Sequence, residues 1–172
     1  MKKNKIHFDK FFYPLDGLNN WNNLYGKNGF IQYQFILPKE HSYKGMMEIL
    51  KFISSESLYS FLAVLKLYGE ENENYLSFPL KGYSLAIDFK LSENLYSLLK
   101  RLDQIVLKYK GRIYLSKDVR VNKEDFEINY NKINKFRNIR EKYKMNKKFQ
   151  SLQSKRVKIW LLIKNHYHQY SL

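Results

Sequence analysis

Two apolar arms flanking a polar bend, residues 60–68 (SFLAVLKLY) and 83–89 (YSLAIDF), constrain this chain more than any other feature. Strand side chains alternate between the two faces of a sheet, so the first arm puts Phe61, Ala63, Leu65 and Leu67 on one face. Leu62, Val64, Lys66 and Tyr68 take the other. The second arm divides in the same way, with Leu85, Ile87 and Phe89 against Ser84, Ala86 and Asp88. The arms read as an antiparallel pair. Desolvating an ammonium without a partner is costly, so Lys66, the one charge in its strand, either reaches water from a surface position or faces a polar pocket that wants a cation.

The surrounding segments extend this pair into a sheet. FIQYQFILP (30–38) alternates Ile31, Tyr33 and Phe35 with Gln32, Gln34 and Ile36, a strand ended by Pro38. Met46, Met47, Ile49, Leu50 and Ile53 recur at helical spacing over 44–54. A second helix is capped by Ser92 and carries Leu95, Leu98, Leu99, Leu102, Ile105, Val106 and Tyr109 as its apolar stripe, with Gly111 stopping it. RIYLS is a short strand, Asn122 caps a helix bearing Phe126, Tyr130 and Ile133, and a basic helix runs on through Phe136, Ile139 and Tyr143. The aromatic, turn-rich stretch around Trp21 is a loop or short helix. The expected fold is α+β, an antiparallel sheet with helices packed on one face. The other face is then left for a site onto which Gln32, Gln34, Lys66, Tyr68 and Ser84 project.

With 44% apolar residues in 172, the chain can bury a real core as one domain. The expected division is a tail at 1–10, a domain at 11–156 and a basic, aromatic tail at 157–172, with no repeat or linker. No cysteine is present, which removes disulfides, thiolate metal sites and cysteine nucleophiles. No signal peptide is expected, because the basic start MKKNKIHFDK is not followed by an apolar stretch. No metal site is expected either; His166 and His168 are the only closely spaced histidines, and Asp88 and Asp118 carry no spacing that argues for acid/base work.

Lys and Arg number 31 against 16 Asp and Glu, a net charge of +15 that favours anionic partners. The excess is concentrated between 132 and 158, where eleven basic residues, among them Arg137, Arg140, Lys142, Lys144, Lys147, Lys148 and Arg156, meet Glu141 alone. Such a run is either a solvated helix face or a surface for phosphate.

The segments QYQF, FLAVLKLYG, LSFPLKGYSLAIDF and GRIYLSKD, in this order, with FFYPLDGLNNWNNLYG before and FQSLQSKR after, resemble the carboxy-terminal substrate domain of decaprenylphosphoryl-ribose oxidase-like enzymes. These belong to the FAD-linked oxidases, which include vanillyl-alcohol oxidase and the aldonolactone oxidases. The resemblance, from about residue 10 to about 156, implies part of an oxidoreductase acting on CH–OH groups. Its cofactor would be FAD, held mainly by a separate FAD-binding domain or subunit, unless the chain is a fragment. By the same resemblance Gln32, Gln34, Val64, Lys66, Tyr68, Ser84 and Ala86 line the substrate pocket, Tyr114 and Lys117 lie beside the flavin, and Lys117 and Lys66 are catalytic. Ser84 and Ala86 stand where the family commonly carries Asn and Cys, which shortens one amide contact and removes a thiol. The implied substrate is a sugar alcohol, an aldonolactone or a lipid-linked pentose. The implied location is cytoplasmic, with a peripheral position on the anionic inner face of the membrane as an option. The alternative is a non-enzymatic basic module that binds nucleic acid or an anionic membrane.

Overall fold

The computed structural model describes residues 5–160. Its centre is a four-stranded sheet in the order β2-β3-β1-β4, built from β1 (Phe30–Pro38), β2 (Ala63–Tyr68), β3 (Gly82–Lys90) and β4 (Arg112–Ile113). Every neighbouring pair is antiparallel. The α+β expectation is met.

The register follows from the alternation. Gln34 lies opposite Ala86, and Ala86 opposite Val64. One step along, Ile36 lies opposite Ser84 and Ser84 opposite Lys66. Directly paired residues share a face, so Gln32, Gln34, Ser84, Ala86, Asp88, Val64, Lys66 and Tyr68 all project to one side. Tyr33, Phe35, Leu37, Leu85, Ile87 and Phe89 project to the other and form the core with Ile49 of α2 (Lys39–Ser55) and Leu95, Leu99, Leu102 and Val106 of α3 (Leu95–Lys108). These two helices cover a single face. A one-residue slip would exchange the apolar and polar sets, and this large burial difference is what holds the register.

Several boundaries differ from expectation for identifiable reasons. Residues 60–62 are not strand, although Leu62 still accepts the Asp88 N–H through its backbone oxygen. Strand β2 is an edge strand, and Leu65 and Leu67 remain 59% and 66% exposed because α2 and α3 centre on β1 and β3. Asn94, not Ser92, occupies the N-cap of α3, and its side chain makes no capping hydrogen bond; Ser92 contributes its backbone oxygen to the Leu95 N–H. The left-handed residue after α3 is Lys110 (φ 56°). Gly111 is required for close approach instead: a Cβ there would stand 2.7 Å from the Ile36 oxygen and 2.6 Å from Leu37 Cδ2.

The free edge of β4 is closed by side chains. Helix α4 (Lys123–Asn129), whose N-cap Asn122 accepts the Asp125 N–H as its sequence implied, brings Asn129 Oδ1 to 2.6 Å from the Ile113 N–H. Tyr130 Oη donates to the Ile113 oxygen at 2.7 Å. Orphaned backbone groups at a buried edge would cost a lost hydrogen bond each, and these two residues remove that cost.

The basic stretch is not uniformly solvated. Within α5 (Ile133–Lys142), Arg137 is fully buried, 2.6 Å from Glu127 and donating to the Lys158 and Ile159 oxygens. Arg140 donates to the Phe149 oxygen. These arginines tie the chain end to the body, and the core extends to Val157. Lys142, Lys144, Lys147 and Lys148 are exposed.

Candidate functional site

In front of the sheet lies an open concavity of about 470 Å³ lined by Gln32, Gln34, Val64, Lys66, Tyr68, Phe78, Pro79, Ala86, Tyr114 and Lys117. Gln32 and Gln34 come from β1, Ala86 from β3, and Val64, Lys66 and Tyr68 from β2. Tyr114 continues the β4 pairing, donating its backbone N–H to the Gln34 oxygen at 2.9 Å, so that its side chain keeps the phase of the polar face. Lys117 ends the 3-10 turn Leu115–Lys117 immediately afterwards.

Eight of the nine residues that the resemblance assigned to a site meet here. Ser84 does not line the concavity. It is 1% exposed, and its hydroxyl oxygen accepts from Gln34 Nε2 at 3.1 Å, so it supports a pocket amide from beneath. Lys66 and Lys117 are both exposed, and among the described residues neither has a carboxylate or hydrogen-bonding partner. Both alternatives for Lys66 hold together: it sits on an edge strand, and it faces a polar pocket.

Two residues of the wall, Phe78 and Pro79, were not singled out by the sequence, although they belong to its LSFP segment. Phe78 packs on Tyr114 with ring centroids 4.5 Å apart and meets Tyr68 edge-on at 6.0 Å. The segment is held down by Arg112, whose guanidinium donates to the Pro79 oxygen at 3.3 Å and pairs with Glu71 at 3.0 Å. A guanidinium offers five donors in a fixed plane, which suits it to gathering loop carbonyls. Arg112 shares the phase of Tyr114 in the strand, and that phase was the available signal.

The turn carrying Lys117 is fixed from behind by α6 (Leu152–Arg156), within the FQSLQSKR stretch. Gln153 Nε2 donates to the Leu115 oxygen at 2.6 Å. Arg156 pairs with Asp118 and donates to the Val119 and Val121 oxygens at 2.7 and 3.0 Å. Asp118 Oδ1 in turn accepts the Arg120 and Val121 N–H groups. The carboxylate beside Lys117 is therefore committed elsewhere, and the lysine is left without an internal neutralising partner. Asp88 and Asp118 serve as two separate anchors: Asp88, 1% exposed, accepts from Gln32 Nε2 at 2.7 Å and from Tyr25 Oη at 3.4 Å. His166 and His168 lie outside the described residues.

A helix-backed antiparallel sheet with a polar, cationic front is the arrangement implied by the resemblance to FAD-linked oxidases, and sequence comparison bears that resemblance out over most of the chain. It is 35% identical over 158 residues, 91% of its length, to decaprenylphosphoryl-beta-D-ribose oxidase of Mycolicibacterium smegmatis. It spans only about a third (34%) of that relative. It is also 28% identical over 96 residues, 55% of this chain and 26% of the relative, to an uncharacterized protein in the mprA 5' region of Streptomyces coelicolor. No protein-family model matches the chain.

The donor set can be tested against the cofactor that the FAD-linked oxidases use. The pyrimidine end of a flavin is rich in carbonyl acceptors and gains negative charge on reduction. The Lys117 ammonium, without an internal partner, and the Tyr114 ring beside it on the β4 side of an open pocket are chemically suited to that edge.

Proposed function

We propose that this chain is the substrate-binding half of an FAD-dependent oxidoreductase that oxidises a sugar alcohol, an aldonolactone or a lipid-linked pentose. The FAD would be held mainly by a domain or subunit outside these 172 residues. The observation that carries the reading is the convergence of Gln32, Gln34, Lys66, Tyr68, Tyr114 and Lys117 on one concavity whose lysines have no carboxylate partner among the described residues.

When bound, the flavin supplies a hydride acceptor for the substrate carbinol carbon. Lys117 and Tyr114 sit on the wall that would hold it. Lys117 supplies a fixed positive charge where negative charge develops, a contribution that grows once a covering domain excludes water from this exposed site. Gln32 and Gln34 bind and orient substrate hydroxyls, Lys66 donates hydrogen bonds from the opposite strand, and Val64, Ala86 and Tyr68 set the shape of the floor. No residue of the concavity is assigned as a general base.

The test is assembly. The chain purified alone is expected to be colourless, and addition of an FAD-loaded partner domain should produce a stable yellow complex in which substrate bleaches the flavin band. Yellow protein with stoichiometric FAD from this chain alone would sink the division of labour proposed here.

A second reading, peripheral attachment to anionic lipid, is favoured by the exposed Lys142, Lys144, Lys147 and Lys148. Basic residues near such a surface contribute about 1 kcal/mol each. Truncation after Gln153 would be a poor test, because it removes the Arg156 anchor of the Lys117 turn. Replacing the four lysines with glutamine leaves that anchor intact. Sedimentation with phosphatidylserine vesicles at low salt should then fall by at least about 100-fold in partition coefficient; unchanged binding removes this segment as the attachment site. Nucleic acid is the weaker partner, since Arg137, Arg140 and Arg156 are occupied with carbonyl and carboxylate groups of the fold.

A further inference from the structure

Of the two pocket glutamines, Gln32 is not free to present either end of its amide. Gln32 Nε2 donates to Asp88 Oδ1 at 2.7 Å, and an ionised carboxylate accepts but cannot donate, so the amide nitrogen must be the end that faces Asp88. Asp88 itself is held in place. It is 1% exposed, it lies within the β1–β3 ladder opposite Gln32, and Tyr25, also buried, points its hydroxyl at the second carboxylate oxygen. Tyr25 is wedged between the stacked ring of Phe30 at 4.5 Å and the edge of Phe61 at 5.4 Å. Gln34 donates Nε2 to Ser84 Oγ, a hydroxyl that can accept or donate, so only Gln32 is held in one orientation. Neither Oε1 has a hydrogen-bonding partner among the described residues, and both residues line the concavity.

We infer that Asp88 is a positioning residue that locks the Gln32 amide with Oε1 toward the pocket, making the β1 wall selective for ligand groups that donate hydrogen bonds, namely sugar hydroxyls. The cationic donors flank β1 on its two sides, Lys66 on β2 at one edge of the sheet and Lys117 on the turn after β4 at the other, so the pocket is polarised. It receives hydroxyls on β1 and electron-rich or anionic atoms beside each lysine. A carbonyl or ether oxygen placed against Gln32 would meet a lone pair, and a site built to bond a hydroxyl rejects the analogue that lacks it. The hydroxyl selectivity rests on the substrate-pocket reading above; the amide lock does not.

The lock is tested on the isotopically labelled 172-residue chain, without flavin or partner. A through-hydrogen-bond scalar coupling between Gln32 Nε2 and Asp88 Cγ is expected, together with exchange of that amide proton at least about 10-fold slower than in the chain unfolded by urea. Absence of both in the folded parental chain overturns the inference, whether or not any variant folds. Selectivity is then read by chemical-shift titration with D-ribose and its 2-deoxy and 3-deoxy analogues. The parental chain should prefer ribose to at least one deoxy analogue by about 10-fold, and Asp88→Leu should bring that ratio near unity while the β1 and β3 backbone signals stay in place. A coupling without any hydroxyl preference, or a preference that survives in folded Asp88→Leu, overturns the inference too. Failure of either kind leaves the flavin-assembly experiment standing as the separate judge of the function.

Discussion

Replacing Asp103 with leucine is expected to cost about 3–5 kcal/mol of folding stability, because it strands a buried arginine. Asp103 lies on the inner side of α3, 1% exposed, where it pairs bidentately with Arg120 and accepts the Tyr33 hydroxyl at 2.9 Å. The Arg120 side chain is only 14% exposed. Burial raises the Asp103 carboxyl above its ordinary range, and Arg120 and the Tyr33 hydroxyl work against that shift. Removing one partner leaves the other charge desolvated without compensation, whereas removing both leaves an apolar site. The double variant Asp103→Leu/Arg120→Met should therefore recover most of the loss. Urea midpoints of the parental, single and double variants check this, and a single variant within about 1 kcal/mol of the parent would mean that the pair contributes little.

Lys117→Met is expected to have the largest effect on chemistry. In the proposed complex with an FAD-loaded partner it should slow flavin reduction by about 10²–10³, equivalent to about 2–4 kcal/mol of transition-state stabilisation. Methionine keeps the length of the stem and removes the charge, and nothing inside the chain depends on that charge: Lys117 has no ion-pair partner among the described residues, and its turn is held by Gln153, Arg156 and Asp118. Stability should consequently be unchanged. Rapid-mixing measurement of flavin bleaching separates the chemical step from substrate binding, and reduction at the parental rate by a complex that retains FAD would reduce Lys117 to a surface lysine.

How far each feature could be read in advance depended on the range of its cause. The polar and apolar faces of β1 and β3 were legible because alternation is imposed residue by residue, and the register then placed Gln34, Ala86 and Val64 side by side. The α3 stripe was legible for the same reason, and Asp103, set among Leu99, Leu102 and Val106, was the irregularity that could have flagged a buried ion pair. The site residues on β4 and its turn were a harder case. Only Arg112 and Ile113 are strand, too few for a pattern, and Tyr114 and Lys117 came from the family resemblance rather than from periodicity.

By itself the sequence determined the α+β class, the identity of the polar sheet face and the resemblance to FAD-linked oxidases. All three rest on local backbone geometry or on the order of the motifs. Only the tertiary structure decided that β2 is an exposed edge, that Ser84 supports Gln34 from below the pocket, and that Arg112, Arg137 and Arg156 bind carbonyl oxygens of the fold instead of presenting their charge to a partner. Composition counts an arginine as a surface cation, yet its planar donors are satisfied wherever loop carbonyls converge, and that convergence is created by chain segments far apart in sequence. The same holds for Asp88: strand phase predicts which way it points, but only the packing of Tyr25 and Gln32 around it turns a carboxylate on a strand into a lock for a neighbouring amide.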